Sequence, residues 1–301
     1  MNKAKILVIV GPTAVGKSSL AVELARTLNG EIISADSRQV YRGMNIGTGK
    51  ITQTEMKGVP HHLLDVADPR ERFTVVDYVR LGTEAIDSIV SRGKLPILCG
   101  GTGYYIEALV DGRSQADVVP NEKLRAELES KSLDELFHEL ENKDRDRASS
   151  IDPKNKRRLI RALEIVNLIG KVPPIKSNSK YDPIFIGLNF PASQLRDKIH
   201  KRLTERLDNG MVEEVKQLLN NGVSYDRLDE LGLEYRYVSK YVKGELTFEA
   251  MRTKLETEIW HYAKRQMTWF KRDKRIQWVD PNLPFEEIRN KVRPRGPTLD
   301  L

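Results

Sequence analysis

Gly11, Pro12, Thr13, Ala14, Val15, Gly16, Lys17 and Ser18 match the spacing G-x-x-x-x-G-K-[ST], an arrangement suited to holding phosphate. The glycines let successive backbone N–H groups face an anion, and the helix that follows adds partial positive charge at its N-terminus. Lys17 can neutralise outer phosphate oxygens, and the Ser18 hydroxyl suits Mg2+. The spacing leaves open which phosphate ester binds and whether a phosphoryl group moves at all. Further on, Asp36-Ser37-Arg38-Gln39 offers a carboxylate, a hydroxyl, a cation and an amide in one run. Gly100-Gly101-Thr102-Gly103 would let a ligand come close to the backbone.

Such groups need strands to position them. Lys5 to Val10 is apolar, β-branched and stopped by Gly11-Pro12, which predicts a buried strand, and Ser18 to Leu28 carries apolar residues at helical spacing. Asn29-Gly30 turns the chain into a second strand, Glu31 to Ser34, and after a helix from Phe73 to Arg92 the run Leu95 to Cys99 reads as a third. Residues just past the carboxyl ends of parallel strands line the ligand crevice, so the phosphate loop, Asp36 and the Gly100 run are predicted to face one site. Arg42 to Glu71 has no clear period and reads as a long loop over that site. Within it the adjacent His61 and His62 lack a carboxylate at ligand spacing and read as structural or surface groups, not metal ligands.

From about Asp111 the character changes to charged helices, Asn121 to Asn142 and Asp152 to Ile169, closed by Pro173-Pro174. The sheet resumes at Ile184 to Leu188, and helices follow at Ala192 to Asp208, Met211 to Asn220 and Phe248 to Arg272. Ile276 to Val279 is a candidate last strand, and the tail after Asn290 reads as loose. The predicted class is α/β: a P-loop NTPase-like parallel sheet flanked by helices, with an all-helical insertion domain. The discontinuous core takes residues 1–115 and 180–301, its C-terminal part helical, and the insertion takes 116–179.

With 31% charged and 39% hydrophobic residues the composition suits a water-soluble chain, and no apolar run is long enough to span a bilayer. Met1 to Val10 leads into the phosphate loop with no signal peptide, and one cysteine, Cys99, excludes a disulfide framework and a Cys-based zinc site. A reducing cytoplasm is the expected location. The net charge of +7 is uneven: residues 1–150 hold 20 Lys and Arg against 22 Asp and Glu, and residues 151–301 hold 30 against 21. That asymmetry points to a polyanionic partner. Lys264 to Arg275 interleaves basic residues with Trp269 and Phe270; on a helix Lys264, Lys271 and Arg275 would form one stripe, and Arg265, Gln266 and Trp269 another face. RNA fits such a surface, phosphates giving affinity and rings stacking on bases.

A GTPase is disfavoured, because the only Asn-Lys-Asp, Asn142 to Asp144, lacks the final Asp of the guanine-selecting motif. A small-molecule kinase remains the alternative, with Asp36 near the γ-phosphate and Arg157 to Arg161 as a basic lid. A third reading starts from Asp36-Ser37-Arg38-Gln39-Val40-Tyr41, with GPTAVGKS before it and GGTGYY after it. Together with His61-His62-Leu63-Leu64-Asp65, Asp152-Pro153, Arg158 to Glu164 and Lys264-Arg265-Gln266-Met267-Thr268-Trp269, these motifs resemble those of the tRNA dimethylallyltransferases (isopentenyltransferases). The likeness runs in order over most of the chain. Tyr104 departs from it, standing where Leu is expected, and the lack of a zinc-finger extension is similar to the bacterial, monomer-type members.

The resemblance implies transfer of a dimethylallyl group from dimethylallyl diphosphate to the exocyclic N6 amine of the adenosine 3′-adjacent to the anticodon in tRNA, releasing diphosphate. Residues 11–18, with Mg2+ on Ser18, would then hold the leaving group, Thr13 would set a hydroxyl toward the breaking bond, and Arg206 is a further diphosphate candidate. Asp36 is the candidate general base, its alternatives being loop support or Mg2+ binding through water. Gln39 suits a bidentate adenine contact. Thr102 and nearby glycines would line the channel for a flipped base, and Asp36, Ser37, Arg38, Arg125, Arg157, Arg158, Arg161, Arg265, Gln266 and Trp269 are expected tRNA contacts. Neither a membrane nor an obligate protein partner is expected.

Overall fold

The computed structural model describes residues 3–112, 118, 121–173 and 178–292. Residue 116, Pro174 and the tail beyond Val292 lie outside the described residues. The chain forms two compact units, Met1–Asp111 with Ser179–Leu301, and Gly112–Asn178.

The first unit is built on β1 (Ala4–Val10), β2 (Gly30–Ser34), β3 (His61–His62), β4 (Leu95–Cys99), β5 (Tyr181–Leu188) and β6 (Gln277–Val279). Their order is β3-β2-β4-β1-β5-β6, and every pairing is parallel. Parallel sheets are covered on both faces, which is why β1 reads as an unbroken apolar run. Ile6, Val8 and Val10 face a layer containing Tyr78, Ile86 and Ile89 of the helix Val75–Ser91. Leu7 and Ile9 face the opposite layer, with Leu24, Leu203 and Leu255. After β1 the chain crosses to β2 on one side, while β5 lies on the other, so a crevice opens at the carboxyl end of β1.

Several elements extend the expected set. The segment read as a long loop contains a short helix, Gln53–Met56, and the edge strand β3. His62 Nε2 lies 2.7 Å from Glu31 Oε2, and the buried Glu31 also accepts from Arg92 at 2.6 Å and Lys94 at 2.8 Å. Two residues are too few for periodicity to reveal a strand. Helices Tyr225–Leu231, Leu233–Val242 and Phe285–Val292 are likewise additional, the last running past the point where the tail was read as loose.

The basic stripe of Lys264, Lys271 and Arg275 does not form. Its helix, Phe248–Phe270, ends before Lys271, and Arg275 turns back to bond Asp111 at 2.7 and 3.1 Å while its guanidinium lies 4.5 Å over the Phe185 ring. Among the described residues no helix is long and apolar enough to cross a membrane.

The second unit packs helices Glu122–Glu129, Leu133–Lys143, Arg145–Ser150 and Lys156–Ile169 around Leu128, Leu136, Leu140, Leu159 and Leu163. Glu164, only 2% exposed, gathers the Asn121 N–H at 3.0 Å and Arg125 at 2.8 and 3.0 Å. Burial alone would raise the Glu164 pKa, but the hydrogen bonds and charge of Arg125 carry it below the usual carboxylate range.

Candidate active site

The phosphate loop leaves the carboxyl end of β1 and enters the helix Lys17–Thr27. Ala14 has φ 63° and Gly16 φ 89°, left-handed values that curl the loop into an anion nest. Such a φ is uncommon for a residue with a Cβ, so Ala14 is held there by its surroundings. Gly11, Pro12 and Val15 are buried beneath the loop, and Ser18 is exposed at its mouth. Lys17 bends back so that Nζ donates to the Pro12 carbonyl at 2.7 Å. Burial pushes its pKa down to about 8, and nearby Arg202 acts in the same direction while Cys99 and Asp36 oppose it. Burial also pushes the Cys99 thiol up to about 11.

Asp36 follows β2. Its Oδ1 accepts the N–H of Arg38 at 2.8 Å and of Gln39 at 3.3 Å, which fixes the carboxylate plane, while among the described residues Oδ2 has no hydrogen bond. The Ser37 N–H donates to Thr102 Oγ1 at 3.0 Å, joining the loop after β2 to the loop after β4. Arg38 is half-buried and donates to the Ser37 carbonyl at 3.3 Å. Gln39 Nε2 donates to the carbonyls of Thr48 and Gly49, both at 3.4 Å. Bonds of that length are weak enough to exchange for a ligand.

Gln266, expected on an RNA-facing surface, is instead 6% exposed inside the protein. Its Oε1 accepts the Thr13 N–H at 2.8 Å and its Nε2 donates to the Gly101 carbonyl at 2.9 Å, so one amide bridges the phosphate loop and the loop after β4. The glycine run has a corresponding explanation. A Cβ at Gly101 would strike the Gln266 amide, and one at Gly103 would strike the Trp269 indole, so protein side chains occupy the space that the sequence reserved for a ligand. Trp269 is half-buried, stacked under Arg272 at 4.3 Å and edge-on to Tyr104 with 6.4 Å between ring centroids. Replacing Gln266 with Ala leaves the Thr13 N–H and the Gly101 carbonyl without partners. We expect a loss of about 1–3 kcal/mol of stability, read by urea denaturation, together with weaker diphosphate binding as the two loops uncouple.

Arg202, which motif reading passes over, contacts the phosphate loop. It lies on the helix Ala192–Asp208 and donates to Thr13 Oγ1 at 3.3 Å and to the Gly49 carbonyl at 3.4 Å. Arg206, the expected diphosphate residue, bonds the Gly47 carbonyl and Glu234 Oε1, both at 3.0 Å. Burial and the neighbouring Arg206 charge lower the Arg202 pKa to about 10, and burial raises that of Glu234 against the pull of Arg206. The four-residue spacing of Arg202 and Arg206 was the available signal, since it puts both on one helix face.

The remaining expected contacts are more scattered. Within the insertion, Arg125 is engaged with Glu164, and Arg161 donates to the Val118 carbonyl at 2.9 Å and to Glu164 at 3.4 Å. Arg157 and Arg158 are exposed there. Arg265 is exposed on its helix with its guanidinium 5.9 Å from the Tyr262 ring.

Chemically, the crevice combines an anion nest, the cations Lys17 and Arg202, and a carboxylate fixed by one oxygen. Such a set suits departure of a phosphorylated leaving group from an acceptor that must lose a proton. A family model described as IPP transferase matches residues 39–273. The chain is 44% identical over 296 residues to tRNA dimethylallyltransferase 2 of Bacteroides fragilis, covering 96% of each. It is 40% identical over 302 residues to the tRNA dimethylallyltransferase of Caldanaerobacter subterraneus subsp. tengcongensis, again covering 96% of each. It is also similar to the crystal structure of the full-length tRNA isopentenylpyrophosphate transferase from Bacillus halodurans, with TM-score 0.74 and 41% identity over 96% of this chain and 95% of that one. A eukaryotic dimethylallyltransferase captured acting on tRNA gives TM-score 0.80 and 30% identity over 92% of this chain and 74% of that one. With relatives aligned over nearly its whole length, the chain belongs to the IPP transferase family.

Proposed function

We propose that this chain transfers a dimethylallyl group from dimethylallyl diphosphate to the N6 amine of the adenosine 3′-adjacent to the anticodon in tRNA, releasing diphosphate. Family membership and the names of the relatives support this reading over a small-molecule kinase. The observation that carries it is the joining of three strand-end loops. The bonds from Thr13 through Gln266 to Gly101, and from Ser37 to Thr102, bring an anion nest and the Asp36 carboxylate to one sheet edge.

In this reading the diphosphate lies in residues 11–18, where Lys17, Arg202 and the loop N–H groups stabilise charge as the C1–O bond breaks. N6 forms its bond to C1, the C1–O electron pair leaves with the diphosphate, and the N6 proton passes to Asp36. Thr13 sets its hydroxyl beside the breaking bond. Mg2+ as a class favours substrate oxygens and water over a cage of protein groups, so the exposed Ser18 hydroxyl would be its protein ligand, and the ion would supply charge to the departing diphosphate. Gln39 reads the adenine edge, with Ser37, Arg38 and Thr102 lining the approach of the flipped base. Exposed Arg157, Arg158 and Arg265, with Trp269, contact the tRNA, while Arg125 and Arg161 act through Glu164 to shape the insertion. One chain supplies all three loops, which supports a monomer as the working form, in the cytoplasm.

Incubation with prenyl-labelled dimethylallyl diphosphate, Mg2+ and unmodified tRNA tests the proposal. Label is expected in the nucleoside 3′-adjacent to the anticodon. Label staying out of tRNA, while γ-labelled ATP phosphorylates a small acceptor, would replace it with the kinase reading.

A further inference from the structure

Asn45 to Gly49 holds no titratable side chain, yet its carbonyls engage three side chains of the site. The Gly47 carbonyl accepts from Arg206 at 3.0 Å, the Gly49 carbonyl from Arg202 and from Gln39, each at 3.4 Å, and the Thr48 carbonyl from Gln39 at 3.4 Å. A buried carboxylate shapes this segment. Glu214, on the helix Met211–Asn220 and 7% exposed, accepts the N–H of Asn45 at 2.8 Å and of Ile46 at 2.6 Å on Oε2. Its Oε1 accepts the N–H of Gly47 at 3.0 Å and the Tyr235 hydroxyl at 2.9 Å. The carbonyls in the same peptide planes as those N–H groups, Met44, Asn45 and Ile46, accept from the Thr48 hydroxyl and from the Lys50 and Gly49 N–H groups, which closes a turn and leaves the Gly47, Thr48 and Gly49 carbonyls to the site.

Glycine is required on both sides of this arrangement. A Cβ at Gly47 would meet the Tyr235 ring, and one at Gly49, where φ is 59°, would meet the Arg202 and Arg206 guanidinium groups. Arg202 and Arg206 are like charges one helical turn apart; Arg206 is paired with Glu234 at 3.0 Å, whereas the acceptors of Arg202 among the described residues are the Thr13 hydroxyl and the Gly49 carbonyl. Carbonyl acceptors in fixed positions hold the pair in place before an anion arrives, so that cost is not met at binding.

We propose that Glu214 is a positioning residue for diphosphate binding and transfer, acting through the Gly47, Thr48 and Gly49 carbonyls on Arg202, Arg206 and Gln39. This rests on the function proposed above. Glu214→Gln keeps the size but removes the charge and sets an NH2 donor against backbone donors. Calorimetry with inorganic diphosphate should show Kd raised about tenfold, with KM for dimethylallyl diphosphate raised alike and tRNA affinity within about twofold. Tyr235→Phe removes one donor without touching the charge and should give a smaller shift in the same direction; it decides the matter if Glu214→Gln does not fold. Acting through Arg206, the Glu214→Gln loss should be less than additive with that of Arg206→Ala. A lower melting temperature with unchanged diphosphate affinity, or strict additivity, overturns the proposal. Diphosphate binding without any prenylation of tRNA would count against the proposed function and leave this test readable.

Discussion

Replacing Asp36 with Ala is expected to lower the single-turnover rate of prenyl transfer by about 10²–10⁴, while tRNA affinity measured by filter binding stays within a few fold. The adenine N6 lone pair is delocalised into the ring, so the amine becomes a good nucleophile only as its proton departs. Asp36 suits that step because its oxygens differ: Oδ1 is fixed by the Arg38 and Gln39 N–H groups, and Oδ2 makes no hydrogen bond among the described residues. Asp36→Asn separates this role from loop support. An Asn carbonyl still accepts the same N–H groups, keeping the turn, but the side chain cannot take a proton at neutral pH. The Asn variant should therefore lose nearly as much as the Ala variant. Near-normal turnover by Asp36→Asn would reduce Asp36 to a structural support and leave the proton without a protein acceptor.

What could be read in the sequence was local. The strand β1, the phosphate loop and its helix follow from a short apolar run, a glycine spacing and a helical period, all within adjoining residues. Parallel-sheet logic then brought Asp36 and Thr102 to the same edge, and the Ser37–Thr102 bond joins their loops across a separation of 65 residues. What could not be read depends on distant packing. Gln266 meets Thr13 across 253 residues, Arg202 meets Thr13 across 189, and Glu214 meets Asn45 across 169. A polar residue on a helix carries no local mark telling whether it faces solvent, RNA or a buried loop. The Lys264–Arg275 stripe failed for a related reason: it required the helix to continue, whereas Asp111 and Asp273 draw Arg275 into a turn past Phe270. The glycines after β4 stand out in the sequence, but their spacing does not say that Gln266 and Trp269 fill the room they leave.

Lys17→Ala is expected to lower kcat/KM for dimethylallyl diphosphate by about 10²–10³, the usual loss when a donor to developing negative charge is removed. A pH profile tests the same charge without mutation. In the ligand-free protein burial brings the Lys17 pKa down to about 8, so the ammonium form is present below that pH and is lost above it. Because kcat/KM reports the free enzyme, it should fall as pH rises through about 8. Arg202, with a pKa lowered only to about 10, keeps its charge over that interval and cannot produce the fall. Bound diphosphate favours the ammonium form, so the corresponding limb of kcat should lie at higher pH. In Lys17→Arg, where the charge no longer titrates, any remaining activity should lose the limb altogether. A wild-type kcat/KM that stays flat through pH 8 would mean that the lysine charge does not assist the leaving group. The nest of backbone N–H groups, with Arg202, would then have to stabilise the diphosphate without it.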